Sequence, residues 1–306
     1  MWQIIVIWDS MLDEYIYWNT DKKNPESPMP LLNIEWEEYR LWWASNVANN
    51  IASLYWSVDL VSMIWEDRNW EKFKYLCEQN KINLIPIISD TPTITKTRFI
   101  DSQYKQQLLR VDYEKKNTLT QENLQKISNI LYTNKPKYIV ISDYNKWIIN
   151  KDLVNLLKDF SKINWPLLLV DTKPQNINLF RWVYFIKPNF KEFCEMIWQK
   201  IDNTDINIEN SWKEFTRKYN TNLVITRWAK WASLITINWN IFHIKPPEER
   251  KVFDVTWAWD TFIATIAYAL DNWYNLEESV RLANKASWIV VEKVWTATIT
   301  KEELWI

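Results

Sequence analysis

The chain of 306 residues contains no glycine, although a globular protein of this length ordinarily has about 20. It contains 23 tryptophans instead, and several follow asparagine in turn-like contexts, as in Asn69-Trp70, Asn164-Trp165 and Asn272-Trp273. Such contexts favour glycine, because a tight turn often needs positive φ angles and little side-chain bulk. We infer that tryptophan occupies every position that a natural parent fills with glycine. We call the chain with glycine at all of these positions the glycine counterpart.

Histidine and cysteine are scarce, with one histidine and two cysteines. A single imidazole excludes zinc sites built from several histidines, and it argues against a Ser-His-Asp triad. We expect His243, in the strand-like segment NIFHIKPP, to be a surface residue or a hydrogen-bonded strand residue. Cys77 and Cys194 lie far apart within apolar helical patterns, which predicts buried thiols rather than a disulfide.

Long apolar runs and an excess of positive charge are also absent. No run approaches the ~20 residues of a membrane span, and the N-terminal MWQIIVIWDS lacks the regions of a signal peptide. The net charge of -1 argues against a surface for nucleic acid, which would normally be basic. With 47% hydrophobic residues for a core, the composition predicts a soluble cytoplasmic protein without nucleic-acid or membrane partners.

Short aliphatic runs alternate with amphipathic helical patterns through most of the chain. This order is typical of an α/β fold with a mainly parallel central sheet and helices on both faces. The expected strands are 4–7, 58–63, 138–142, 167–171, 183–187 and 223–226. The expected helices are 44–55, 70–80, 121–132, 151–163, 191–197, 210–219, 261–270 and 276–291. Residues 11–36 and 92–112 interrupt the order with short strands, and we expect a small β-lid on a single domain spanning 1–306.

Polar residues follow several of the expected strands. Because the carboxyl ends of parallel strands meet at one edge of a sheet, their side chains should share a site. Aspartate, lysine, asparagine and arginine suit a phosphate or a nucleotide better than an apolar ligand. The strand-end residues are Asp9, Asp143, Asp171, Lys173, Lys187, Asn189 and Arg227.

The segment VFDVTWAWDTFIATIAYAL, residues 252–270, has an acidic residue directly before an expected helix. The first backbone N–H groups of that helix would point at a bound anion. Asp260 could therefore take a proton from a hydroxyl group that attacks phosphorus. It could equally well be a residue that only caps the helix. The spacing alone leaves both roles open.

With glycine in place of tryptophan, DVTWAWD resembles the signature of the ribokinase-like carbohydrate kinase family, in which a glycine-alanine-glycine turn forms an anion hole beside a catalytic aspartate. LWWASNVANNIASL resembles the sugar-binding glycine-glycine motif of that family, KPNFKEF its Asn-x-x-Glu element, and VITRWAKWA its nucleotide-side turn. Within the family, DSMLDEYIYW, NPESPMPLL, PTITKTR, QQLLRVD and ISDYNKW are most similar to the bacterial heptose 7-phosphate kinases. The resemblance covers nearly the whole chain and implies ATP-dependent phosphorylation of a sugar phosphate.

The resemblance also implies roles for individual residues. Asp260 would be the catalytic base, and the backbone of Trp257, Ala258 and Trp259 would form the anion hole. The sugar phosphate would be bound by Asp13, Trp42, Trp43, Asn46, Lys96, Arg98, Gln107, Arg110, Asp143 and Lys146. ATP would be bound by Lys173, Asn189, Glu192, Thr226, Arg227 and Asn284, with Glu192 acting indirectly on Mg²⁺. The resemblance leaves two questions open: whether a monovalent cation is a further cofactor, and whether the lid forms a homodimer.

Two alternatives to a heptose 7-phosphate kinase are open. A kinase of the same family could act on another sugar or sugar phosphate, although Lys96, Arg98 and Arg110 on the lid favour a phosphorylated sugar. A binding module could stack carbohydrate or bases on its tryptophans, but it would need them on one face of its strands.

The tryptophans should also disturb the fold. If about half of them take left-handed backbone angles, the strain reaches about 10 to 20 kcal/mol, which matches or exceeds a typical stability of about 5 to 15 kcal/mol. We therefore expect the chain to fold poorly, and Trp257 and Trp259 to obstruct the γ-phosphate position.

Overall fold

The computed structural model describes residues 4–7, 9–20, 31–55, 57–146, 148–228, 232–245, 258–293 and 298–306. The strands are β1 (Ile4–Ile7), β2 (Ser10–Asn19), β3 (Asn33–Trp43), β4 (Val58–Ile64), β5 (Ile82–Ile88), β6 (Thr95–Asp101), β7 (Gln107–Tyr113), β8 (Tyr138–Ser142), β9 (Leu167–Asp171), β10 (Phe185–Ile186), β11 (Asn222–Thr226), β12 (Ala232–Ile235) and β13 (Ile241–Ile244). The α-helices are α1 (Ala44–Leu54), α2 (Arg68–Gln79), α3 (Gln121–Asn134), α4 (Lys151–Asn164), α5 (Phe190–Met196), α6 (Asp205–Tyr219), α7 (Ala258–Asp271), α8 (Leu276–Val290) and α9 (Lys301–Leu304).

The central sheet has the strand order β13-β12-β11-β10-β9-β8-β1-β4-β5. Neighbours from β11 to β5 are parallel, while β12 and β13 are antiparallel at one edge. Side chains alternate across each strand, so Ile5 and Ile7 pack in a core with α3 to α6, and Ile4 and Val6 pack in another with α1, α2, α7 and α8. The predicted mainly parallel α/β fold with helices on both faces is confirmed.

The lid is a second sheet, with the order β3-β2-β6-β7. Its first segment was expected to end at residue 36, and that boundary is wrong. Pairing with β2 continues as far as Ser10 opposite Trp43, so β3 runs on to Trp43 and leads directly into α1. The part of the expected lid at 21–30 lies outside the described residues.

Tryptophan occupies unusual backbone positions in the described part of the chain. Thirteen residues there have positive φ angles, and eight are tryptophans: Trp43, Trp165, Trp182, Trp198, Trp228, Trp239, Trp273 and Trp305. Positive φ is uncommon for residues other than glycine, and all of these except Trp43 are more than half exposed. The backbone at these eight positions therefore agrees with the inference that glycine belongs there. They lie at helix ends and turns rather than on one strand face, which removes the basis for an aromatic binding module.

The scarce residue types have ordinary structural roles. His243 lies in β13, where its Nδ1 is 2.8 Å from the Ser233 hydroxyl and its Nε2 is 3.0 Å from Glu209, as predicted for a hydrogen-bonded strand residue. Cys77 and Cys194 are free thiols, the first buried and the second half-buried. Within the described ranges, His, Cys, Asp and Glu form no group of three that could hold a metal ion. None of the helices in these ranges is long and apolar enough to cross a membrane.

Candidate active site

Asp260 lies in the first turn of α7, which begins at Ala258 and not after Asp260 as predicted. A capping residue precedes the first helical residue, so Asp260 does not cap α7, and the capping interpretation is wrong. Of the expected anion hole, Ala258 is buried and Trp259 is half-buried, while Trp257 lies outside the described residues. Among the described residues, no carbonyl of an earlier turn accepts from the first backbone N–H groups of α7, and N–H groups at the start of a helix are suited to binding an anion.

The side chain of Asp260 is buried and accepts two hydrogen bonds. Asn46 Nδ2 donates at 2.8 Å to one carboxylate oxygen, and the Tyr144 hydroxyl donates at 3.0 Å to the other. Burial raises the pKa of Asp260 to about 7, and the nearby Asp171 carboxylate also raises it, whereas both hydrogen bonds and Lys187 lower it. A carboxylate of this pKa is a stronger base than an exposed one and is still partly ionised at neutral pH.

Tyr144 contacts Asp260, the indole of Trp43 and the ammonium group of Lys173. Its ring stacks on the indole of Trp43, with centroids 4.9 Å apart and an interplanar angle of 15°. The Lys173 ammonium group lies 5.3 Å from the centroid of the same ring. Burial raises the pKa of Tyr144 well above its ordinary value, and the negative charge of Asp260 adds to this effect. The phenol therefore keeps its proton and can donate to Asp260 across the physiological pH range.

Asp9 holds the turn that carries Tyr144. Its Oδ2 accepts the backbone N–H groups of Tyr144 at 2.8 Å and of Lys146 at 3.3 Å. Its Oδ1 has no hydrogen-bond partner within the described residues. Burial raises the pKa of Asp9 to about 7, and the neighbouring Asp143 carboxylate raises it as well. The turn at residues 143–146 is thus fixed by a carboxylate from the end of β1.

Asp143 fixes the same turn from inside. Its Oδ2 accepts the Thr172 hydroxyl at 2.5 Å and Asn176 Nδ2 at 2.9 Å, and its Oδ1 accepts the backbone N–H of Asn145 at 2.8 Å. The side chain is almost fully buried. The resemblance implies that Asp143 meets the sugar phosphate, but the structure places its carboxylate in this internal network.

Several of the residues expected to bind the sugar phosphate gather around Trp43. The Lys96 and Lys146 ammonium groups each lie 5.5 Å from its ring centroid, and Tyr144 lies against its face. The indole is buried at φ 59°, at the point where β3 enters α1. Tryptophan therefore fills the space between Lys96 on the lid and the turn that carries Tyr144 and Lys146, and glycine would leave that space open.

A second lid group lies around Arg98. Its Nε donates to Asp13 Oδ1 at 2.9 Å, and its Nη1 donates to Gln107 Oε1 at 3.2 Å. The guanidinium carbon lies 4.9 Å from the centroid of Trp42. Asp13 is fully buried and also accepts the Tyr15 hydroxyl at 2.7 Å. The fold thus brings Asp13, Trp42, Arg98 and Gln107 together.

Four of the residues expected to bind ATP meet at the ends of β9 to β11. Lys173 Nζ lies 2.6 Å from Glu192 Oε1, and the other oxygen of Glu192 accepts the backbone N–H of Asn189 at 3.0 Å. Asn189 also pairs with Thr226 through an isolated β-bridge. Carboxylate and amide oxygens suit Mg²⁺, which usually keeps several waters, so this donor set fits an ion that Glu192 contacts through water.

Three of the expected residues lie apart from these groups. Arg227 is buried, with Nη1 2.5 Å from Asp205 and Nε 2.8 Å from Asn203, in a network that joins β11 to α6. Asn284 Nδ2 donates to the carbonyl of Lys245 at 3.1 Å, on α8. Arg110 is exposed on β7 and pairs with Asp112 at 2.8 Å, on the outer strand of the lid.

The sequence predicts no individual role for Asp9, Asp171 or Lys187 beyond their places at the ends of expected strands, and it predicts none for Tyr144. Lys187 is buried and Asp171 is half-buried, and Asp171 Oδ2 lies 2.7 Å from Lys187 Nζ. Tyr144 lies between Asp143 and Lys146 in the quoted segment ISDYNKW, but the pattern gives no reason for a phenol to reach a helix more than a hundred residues away.

Comparison of the sequence with known proteins finds a matching family and relatives. The profile of the pfkB family carbohydrate kinase matches residues 5–303. The bifunctional protein HldE of Aliarcobacter butzleri is 35% identical over 99% of this chain and 63% of its own length. The bifunctional protein HldE of Haemophilus influenzae is 34% identical over 99% of this chain and 62% of its own length. The chain thus spans less than two thirds of these relatives.

Solved structures with low sequence identity share the fold. Phosphofructokinase-2 from Escherichia coli in complex with potassium has a TM-score of 0.81 at 14% identity, covering 99% of this chain and 97% of the other. Ribokinase from Thermotoga maritima has a TM-score of 0.75 at 18% identity, covering 99% and 98%. The sheet, its flanking helices and the lid therefore form a known architecture.

Proposed function

Because this chain belongs to the pfkB family of carbohydrate kinases, we propose that it uses ATP to convert heptose 7-phosphate to heptose 1,7-bisphosphate. The product would serve ADP-heptose synthesis for the lipopolysaccharide core, and we place the reaction in the cytoplasm. Two observations favour this acceptor over an unphosphorylated sugar. Segments such as PTITKTR and ISDYNKW resemble heptose 7-phosphate kinases, and Lys96 and Lys146 meet around position 43, where they could pair with a phosphate dianion.

The observation that carries the proposal is the buried carboxylate of Asp260, which accepts from Tyr144, whose ring lies against Trp43 and under the Lys173 ammonium group. A sugar hydroxyl oxygen would bond to the γ-phosphorus while the bond to the bridging oxygen of ADP breaks, and ADP would leave with that electron pair. The hydroxyl proton would pass to Asp260, whose pKa of about 7 suits a general base at neutral pH. The first backbone N–H groups of α7 would face the charge that develops on the transferred group.

Metal ions complete the proposed reaction. Mg²⁺ bound with ATP would neutralise negative charge on the phosphates. Glu192 and Asn189 would hold it through water, because both Glu192 oxygens already accept hydrogen bonds. A monovalent cation is a further proposed cofactor, since the structurally similar phosphofructokinase-2 is a complex with potassium.

A panel assay tests the acceptor. ADP release by the glycine counterpart would be measured with heptose 7-phosphate, fructose 6-phosphate, ribose and adenosine, beside the chain that carries tryptophan. We expect the highest kcat/KM with heptose 7-phosphate. Activity confined to another sugar would show that the acceptor is wrong while the kinase assignment holds.

Replacing Lys96 with methionine in the glycine counterpart should raise the KM for heptose 7-phosphate by about 10- to 100-fold, because a charged hydrogen bond contributes about 1.5 to 3 kcal/mol. The kcat should change little if the lysine only binds the phosphate. Lys105→Met is the matched control, because Lys105 lies on the same lid but over Tyr17 and Trp36. Equal effects of the two substitutions would contradict a phosphate role for Lys96.

We also propose that the lid pairs with the lid of a second copy. On β7, Leu108 and Leu109 are each more than half exposed, as is Tyr113, and apolar side chains of this size favour association. Light scattering after size exclusion should give the mass of a dimer, and Leu109→Glu should give that of a monomer. A monomeric mass for the protein without the Leu109→Glu substitution would contradict the proposal.

A further inference from the structure

Among the described residues, two side chains donate to the carboxylate of Asp260, and they come from different parts of the fold. Asn46 lies on α1, which follows the lid strand β3. Tyr144 lies on the turn after β8, and its hydroxyl donates to Asp260 Oδ1 at 3.0 Å. Neither the motifs nor the resemblance gave Tyr144 a role, so its contact with the proposed base needs an explanation of its own.

We propose that Tyr144 is a positioning residue for phosphoryl transfer, whose hydroxyl group orients the Asp260 carboxylate and stabilises its ionised form. The inference rests on the proposed function of Asp260 as the base. Ionising a buried carboxyl group is costly unless donors surround the charge. A hydrogen bond to the charged form offsets that cost, so more of the enzyme carries an active base at a given pH.

The charged groups around Asp260 and Tyr144 explain why the phenol matters for the ionisation of Asp260. Asp260 faces Asp171, which disfavours its ionisation, and Lys187, which favours it. Lys187 is itself paired with Asp171 at 2.7 Å, so its charge is largely compensated there. Tyr144 faces the carboxylates of Asp260, Asp171 and Glu192, and the Lys173 ammonium group lies over its ring. Within the described part of the chain, the neutral hydroxyl is thus one of two direct donors to Asp260, in a region that contains several negative groups.

The orientation of the phenol does not depend on its hydroxyl group. Asp9 accepts the backbone N–H of Tyr144 at 2.8 Å, and Asp143 holds the next residue of the turn. In the chain that carries tryptophan the ring also stacks on Trp43, and the Lys173 ammonium group lies over it. In the glycine counterpart, which has no side chain at position 43, the two backbone anchors and Lys173 remain. Tyr144→Phe should therefore remove one hydrogen bond and leave the ring in place, which makes it a clean test.

The test is the pH profile of kcat/KM for the glycine counterpart and for its Tyr144→Phe variant. Removing a donor to the charged form raises the pKa of the base, so the acidic limb should move to higher pH by about one unit. Above the new pKa, the activity should approach that of the parent. Tyr138→Phe is the matched control, because the Tyr138 hydroxyl donates at 2.9 Å to the carbonyl of Leu270 at the other end of α7.

Other outcomes separate this inference from the proposed function. An equal fall in activity at every pH, without movement of the limb, would overturn the role of Tyr144. Full activity of an Asp260→Asn variant would instead overturn the role of Asp260 as base. A second readout does not need turnover and uses the chain that carries tryptophan. The ¹³C chemical shift of the Asp260 carboxyl group is assigned by comparison with Asp260→Asn. In the Tyr144→Phe variant, this shift should titrate at higher pH. An unchanged titration would also overturn the inference.

Discussion

Replacing Asp260 with asparagine in the glycine counterpart should lower kcat by about 100- to 10,000-fold, the range that a general base contributes. Asparagine has nearly the same shape but cannot accept the proton of the attacking hydroxyl group. The KM for the sugar phosphate should change much less, because Lys96 and the other lid cations are untouched. Steady-state ADP release at pH 8, where the parent carboxylate is ionised, gives both constants.

The control for this substitution lies at the other end of the same helix. Asp271 accepts the Tyr55 hydroxyl at 2.6 Å, and Asp271→Asn should retain near-parent activity. Loss of folding can also be separated from loss of chemistry. The pKa of Asp260 is about 7 in the folded chain and about 3.8 when unfolded, so its contribution to stability falls as the pH rises from about 4 to 7. Asp260→Asn should therefore be no less stable than the parent at pH 8. A kcat within tenfold of the parent would contradict the base assignment.

Replacing seven exposed tryptophans with glycine should raise the free energy of unfolding by about 4 to 7 kcal/mol. Each tryptophan at positive φ carries about 1 to 2 kcal/mol of backbone strain, and glycine loses about 0.5 to 1 kcal/mol of that gain through its flexible unfolded state. Little burial is lost, because these side chains are more than half exposed. The seven positions are 165, 182, 198, 228, 239, 273 and 305.

Urea unfolding of the chain and of the seven-site variant measures this difference. Trp65→Gly is the matched control, since Trp65 is exposed but is not among the residues with positive φ. It should give no gain in stability. A seven-site variant no more stable than the chain would mean that these positions do not require glycine. Trp43 is left out of the set because its indole is buried in the site, where removal also opens a cavity.

The parallel sheet could be predicted because its buried strands are short aliphatic runs separated by helical patterns. β5 was missed, since Pro86 interrupts its pattern, although the strand lies at the edge of the sheet, where a proline is tolerated. β12 was missed because it forms a short hairpin with β13 without an intervening helix, whereas β13 lies in the segment NIFHIKPP that was expected to be strand-like. The start of α7 was predicted too late, because Trp259 stands where the sequence pattern suggested a glycine of a turn, yet Trp259 is already helical.

The candidate site was only partly predictable. Residues that follow strands could be assigned to one edge by topology alone, which is why Lys173 and Asn189 are found together. Side-chain direction could not be predicted, and it separates Arg227, which turns into the network under α6, from its neighbour Thr226. Contacts between distant segments, such as Tyr144 with Asp260, depend on how the helices pack against the sheet.

The connection between the lid and the central sheet also bears on the rate of exchange of the substrate. The lid strand β2 starts directly after Asp9, and β3 ends at Trp43, while the backbone N–H of Ala44 donates to the carbonyl of Asp9 at 3.3 Å. Two of the four lid strands therefore join the central sheet at one point. A bulky residue at position 43 packs against Tyr144 there, and glycine would remove that contact. Under the proposed function, the residue at this junction would influence how quickly the sugar enters and leaves as well as how tightly it is held.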